Sequence, residues 1–125
     1  MAIFDASDDT VEMLSHLLQH AGLRTVDGHA SDISDGEFDM SAFVKAHTPN
    51  AIIWDVSPPY AQNWKFLQLM QAADSMRGRG IVVTTTRLRY LKTMPGFQNG
   101  DFEILEKPYD LDLVLSAIRR VLALP

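Results

Sequence analysis

Apolar and polar residues alternate along the chain in short blocks that read as strands and helices taking turns. Ala2-Ile3-Phe4 is an apolar run closed by Asp5, the pattern of a buried strand. Val11, Leu14, Leu17, Leu18 and Ala21 then recur at helical spacing. Asp8 or Asp9 is the candidate cap of that helix, with Glu12 three residues after Asp9, and Gly22 is its stop. Leu23 to Asp27 predicts a second strand. Residues 28–39 are polar with two glycines and read as a loop, and Ala42, Phe43 and Ala46 suggest a short helix stopped by Pro49. Ala51 to Val56 is the best-marked strand, broken by Pro58-Pro59. A helix from about Gln62 to Met76 follows, then a strand from Ile81 to Thr85 and a helix holding Leu88 and Leu91 that ends at Pro95-Gly96. Phe102 to Glu106 predicts the last strand, and Asp110 caps a final helix carrying Leu111, Val114, Leu115, Ile118 and Leu122.

Five strands thus alternate with helices, and no hairpin turn joins any two of them. That order calls for a parallel α/β sheet covered by helices on both faces and linked by right-handed crossovers. The 125 residues fit one domain, 1–125, with a core large enough to hold without staples. The absence of cysteine excludes a disulfide framework, a thiolate metal site and a cysteine nucleophile. Apolar runs are too short for a membrane span or a signal-peptide core, so a cytoplasmic protein is expected. The net charge of −5 argues against direct nucleic-acid binding. That charge is uneven: residues 1–39 hold nine acids and one base, and residues 40–125 hold seven acids and ten bases. Such a division fits either a solvated surface or an acidic edge that holds a cation and a basic face that meets an acidic partner.

All strand C-termini of a parallel sheet lie along one edge, where ligands bind. Asp5, Asp55, Thr85 and Lys107 fall at such ends. Each alone has an ordinary explanation as a cap, a turn residue, a strand former or a solvated cation. Together they form a set with specific chemistry. A carboxylate such as Asp55 can serve as nucleophile toward a phosphoryl group. A hydroxyl, Thr85, and an ammonium, Lys107, can bind the equatorial oxygens during transfer. A second carboxylate, Asp5, can help hold a magnesium ion that lets two anions approach.

With these residues the chain resembles the receiver domains of two-component response regulators from about Ala2 to Leu122. The 30-residue step from Asp55 to Thr85 and the 52-residue step from Asp55 to Lys107 are similar to the family's, as are Pro59, the Lys107-Pro108 pair and Tyr109-Asp110. The resemblance implies a flavodoxin-like, five-stranded parallel sheet of order 2-1-3-4-5. It implies a phosphoacceptor at Asp55, a switch hydroxyl at Thr85 and a phosphoryl-binding lysine at Lys107. It also implies a Mg2+ ion held by Asp5, Asp55 and the Ser57 backbone carbonyl. The expected donor is a histidine kinase or a histidine phosphotransfer protein, and the expected output is a protein contact made by a monomer or weak dimer. Arg87, Tyr90 and Ile104 mark the signalling face, where Arg89, Lys92 and Arg119-Arg120 add positive charge.

The chain departs from the pattern at several positions. Asp5-Ala6 stands where the family carries two adjacent acids; aligned either way, with Ala6 or Phe4 in the vacant place, one carboxylate is missing and weaker magnesium binding is expected. Ile104 replaces the usual switch aromatic. Thr86 is bulkier than the usual small residue, and the loop of residues 28–39 is longer than usual. Two rival functions remain: a degenerate receiver that acts as a phosphorylation-independent adaptor, and a small aspartate-nucleophile phosphatase of the haloacid dehalogenase type. The second needs a general acid two residues after its nucleophile, where Ser57 stands. His16 and His20 lie four apart on the first predicted helix, a metal-binding spacing, but project away from its apolar stripe. No output domain is expected after Pro125.

Overall fold

The apolar runs become the strands of one parallel sheet. The computed structural model describes residues 2–4, 8–28, 47, 49–72, 76–95, 97 and 102–123. Along them run β1 (Ala2–Phe4), α1 (Asp8–His20), β2 (Val26–Gly28), β3 (Ala51–Val56), α2 (Tyr60–Ala72), β4 (Gly80–Thr85), α3 (Leu88–Leu91), β5 (Glu103–Glu106) and α4 (Leu111–Ala123). The strands lie in the order β2-β1-β3-β4-β5, each neighbouring pair parallel. The turn holding Asp5 and Ala6, the loop of residues 29–39 and the expected helix at Ala42, Phe43 and Ala46 lie outside the described residues.

Local chemistry sets the helix ends. Helix α1 already begins at Asp8, so Asp9 stands in its first turn and is not a cap. A carboxylate there still faces the positive end of the helix dipole. Gly22, at φ +86°, closes the helix, with the Leu23 amide donating back to the Leu18 carbonyl at 2.9 Å. Helix α2 starts at Tyr60, two residues before the apolar spacing suggests. The Pro59 carbonyl takes the Asn63 amide at 3.0 Å and so provides the first helical acceptor. Helix α3 is a single turn, and Pro95 follows close behind it.

Successive strand residues point to opposite sides of a sheet, and here each side has its own core. On one side Phe4, Trp54, Val56, Ile81 and Val83 pack against Trp64, Leu67 and Met70 of α2 and Leu91 of α3. On the other, Ile3, Ile53, Val82 and Leu105 pack against Val11, Leu14 and Leu18 of α1 and Val114, Ala117, Ile118 and Val121 of α4. Every residue of β3 is buried. This central strand is therefore anchored by both layers, each large aliphatic side chain contributing about 1.5–3 kcal/mol of burial. Its last two residues pair with those of β4, Asp55 opposite Thr84 and Val56 opposite Thr85.

Gly80 opens β4 where α4 comes closest, and a Cβ there would lie 2.5 Å from Val121 Cβ. Gly80→Ala is expected to lower stability by about 1–3 kcal/mol through overpacking, read as a reduced urea midpoint with an unchanged slope.

Candidate functional site

The site is built where β3, β4 and β5 end. Asp55 is 4% exposed, and a carboxylate so far withdrawn from water needs donors or a cation. It has both on one oxygen. The Lys107 ammonium lies 3.0 Å from Oδ1, and the Thr84 hydroxyl donates to the same atom at 2.8 Å. Strand alternation explains the trio: Asp55 and Thr84 are directly paired and share the side of the sheet packed by α1 and α4. Lys107 follows β5 directly. Its amide donates to the Thr85 carbonyl at 2.7 Å, which holds the start of its segment beside β4.

Thr85 is at the same edge with its hydroxyl turned elsewhere. That hydroxyl donates to the Val56 carbonyl at 3.0 Å and accepts the Arg87 amide at 3.2 Å. Its side chain belongs with Val56 and Val83 on the α2 side of the sheet, and its one proton is committed there. The structure thus brings Asp55 and Lys107 together and leaves the Thr85 hydroxyl in the opposite layer, while Thr84 fills the place beside the carboxylate. Thr84 sits in a run of three threonines, and its place follows from strand parity together with the β3–β4 register: like Val82, two residues before it, it faces the same way as Ile53 and Asp55.

Of the expected magnesium ligands, Asp55 and Ser57 are among the described residues, and Asp5 lies outside them. The Ser57 carbonyl accepts the buried Asn63 side-chain amide at 2.5 Å and retains a second lone pair. Among the described residues no group of three His, Cys, Asp or Glu side chains could hold a metal. His16, exposed on the surface, lies 3.9 Å from Glu12 instead. Magnesium keeps several waters and takes one or two carboxylates; Asp55 and the Ser57 carbonyl are oxygen donors of the kind it accepts, and they are the two expected ligands among the described residues.

Near the ends of β4 and β5 stands an aromatic and basic cluster. The Arg87 guanidinium lies 5.7 Å from the centre of the Tyr60 ring and 5.2 Å from that of Tyr90, and the two rings meet edge to face at 5.8 Å. Tyr60 and Thr86 share a hydrogen bond between their hydroxyls at 2.9 Å. This contact ties the start of α2 to the segment after β4. Ile104 is half-buried against the core on the α2 side, and Glu106 accepts the Leu88 amide at 3.2 Å, joining the end of β5 to α3. Arg87, Tyr90 and Ile104 therefore lie close to the strand ends, and Tyr60 joins them, a residue the linear sequence did not single out.

No family model matches the chain. Response regulator Rre1 of Synechocystis sp. is 26% identical over 79% of this chain, which spans 46% of that relative's length. Among solved structures, the chemotaxis protein CheY4 of Vibrio cholerae superposes with a TM-score of 0.74 at 23% identity, covering 96% of this chain and 95% of the other. A putative response regulator from Chloroflexus aurantiacus gives 0.76 at 20% identity, covering 98% and 96%. The receiver domain of a histidine kinase from Syntrophus aciditrophicus gives 0.72 at 19%, covering 98% and 88%. The fold is that of CheY-like response regulator receiver domains.

Removing the ammonium would leave the Asp55 charge in a site built to balance it. Lys107→Met is expected to cost about 1–3 kcal/mol, below the range for fully buried pairs because the lysine is partly in water. In an Asp55→Asn background the same change should cost clearly less, as a double-mutant cycle in urea will read.

Proposed function

We propose that the chain is a response regulator receiver that accepts a phosphoryl group on Asp55 from a phosphohistidine donor and signals through protein contacts. The observation that carries this reading is the buried Asp55 carboxylate with the Lys107 ammonium 3.0 Å away, at the strand ends of a receiver fold. In the transfer, an Asp55 oxygen bonds to phosphorus as the phosphorus–nitrogen bond of the donor breaks. The electron pair of that bond returns to the imidazole. Without a neighbouring cation the approach of two anions costs several kcal/mol in a partly dry site. Lys107 offsets that repulsion and then faces the transferred group's equatorial oxygens. Magnesium, held by Asp55 and the Ser57 carbonyl, would supply further charge neutralisation, with Asp5 as a third ligand by resemblance.

Signalling then needs two states of the same edge. The Thr85 hydroxyl, once drawn to the phosphoryl group, gives up Val56 and the Arg87 amide. Arg87 is packed on Tyr60 and Tyr90, so the change reaches a surface where Arg89 and Lys92 add positive charge. An acidic protein partner suits that face. The donor is a histidine kinase or histidine phosphotransfer protein in the cytoplasm. A phosphorylation-independent adaptor is the second reading, favoured by the Thr85 hydroxyl being committed to the Val56 carbonyl on the side of the sheet away from Asp55.

Incubation with acetyl phosphate and magnesium should add one phosphoryl group, seen by mass spectrometry, and Asp55→Asn should abolish it. No added mass would favour the adaptor, and equal labelling of the Asn variant would count against Asp55 as the acceptor. A magnesium titration read by Trp54 and Trp64 fluorescence should show weaker binding than a receiver with two adjacent acids measured alongside.

A further inference from the structure

Thr84 touches Asp55 and has no part in the transfer described above. Its side chain is 1% exposed, and its hydroxyl spends its proton on Asp55 Oδ1 at 2.8 Å. The β3–β4 pairing sets it directly opposite the carboxylate, and a β-branched side chain on a strand has little rotamer freedom. The bond is thus held by the sheet itself. Lys107 reaches the same oxygen, so two donors from separate strand ends converge on one atom.

We propose that the Thr84 hydroxyl shortens the life of the phosphoryl group on Asp55 by stabilising the carboxylate as it leaves. The inference rests on the phosphoacceptor reading above. In hydrolysis, water bonds to phosphorus and the bond from phosphorus to the Asp55 oxygen breaks. Its electron pair returns to the carboxylate, and the proton of the water departs with inorganic phosphate or solvent. A hydrogen bond to a carboxylate is stronger than one to the neutral carbonyl of an acyl phosphate. Thr84 therefore gains interaction as the carboxylate charge returns, which is transition-state stabilisation. Phosphoryl transfer passes through a loose transition state in which bonds to entering and leaving oxygens are both weak. During formation the attacking carboxylate consequently keeps most of its charge up to the barrier, and Thr84 changes little. Its effect falls on loss and spares gain.

The experiment compares wild type, Thr84→Val, Thr84→Ala and Thr84→Ser, each labelled with acetyl phosphate in magnesium buffer. Donor is then removed, and remaining phosphoprotein is followed by mass spectrometry. Val and Ala variants are expected to keep the phosphoryl group about tenfold longer, the difference between a charged and a neutral acceptor. The Ser variant should lose it near the wild-type rate, and in the Val and Ala variants loss should slow more than labelling does. The Ala variant guards against a packing fault peculiar to Val. Equal lifetimes in a chain that is labelled would overturn the role of Thr84 alone. Slowing of gain and loss together, unrestored by Ser, would also overturn it by making Thr84 structural. A wild-type chain that takes no label would overturn both this role and the phosphoacceptor reading.

Discussion

A carboxylate that is almost wholly out of water must be answered by its surroundings, and the top of this sheet is organised around answering Asp55. Isolated burial of such a charge is prohibitive. The chain meets the demand with one ammonium and one hydroxyl on Oδ1, each brought by a different strand. Those donors converge only if β3, β4 and β5 run parallel and in register. The apolar layers beneath do that work: β3 is buried along its whole length, and its partners are held by the cores on both sides. Fold and site are therefore one problem. The sheet keeps the donors in place, and the donors make a charged residue tolerable at the end of its most buried strand.

Much of this was legible in the chain because hydrophobic blocks and their punctuation are local. Ala51–Val56, the Pro58-Pro59 break and the Gly22 stop each carry their own signal, and the structure has a strand, a helix start and a helix end at those points. Asp55 and Lys107 were legible too, since strand-end position alone brings them to one edge. What escaped depends on pairing between distant segments. In a Thr84-Thr85-Thr86 run, the three hydroxyls look interchangeable, yet alternation sends Thr84 to Asp55, Thr85 to the Val56 carbonyl and Thr86 to Tyr60. Only the β3–β4 register decides which goes where. Asp9 shows the opposite limit: a good capping residue type stands one residue inside the helix because α1 begins earlier than its apolar stripe.

The side-chain parity of β3 and β4 also divides labour between the two layers. Asp55, Thr84 and Lys107 belong with α1 and α4, whereas Thr85, Ile104, Tyr60 and Trp54 belong with α2. Trp54 is Asp55's immediate neighbour in sequence but stacks on Phe66 at 5.7 Å in the other layer. In the proposed function, chemistry and readout would therefore face away from each other, with the strand ends as the place where one reaches the other.

The Lys107 amide on the Thr85 carbonyl, at 2.7 Å, has a mechanical consequence. It pins the main chain of Thr85, so the hydroxyl moves mainly by turning about a single side-chain torsion. Rotation of that kind surrenders two ordinary hydrogen bonds, each worth about 1 kcal/mol net, and leaves the sheet undisturbed. In the proposed switch, a hinge so small would need little to be thrown and could reset without unfolding anything around it.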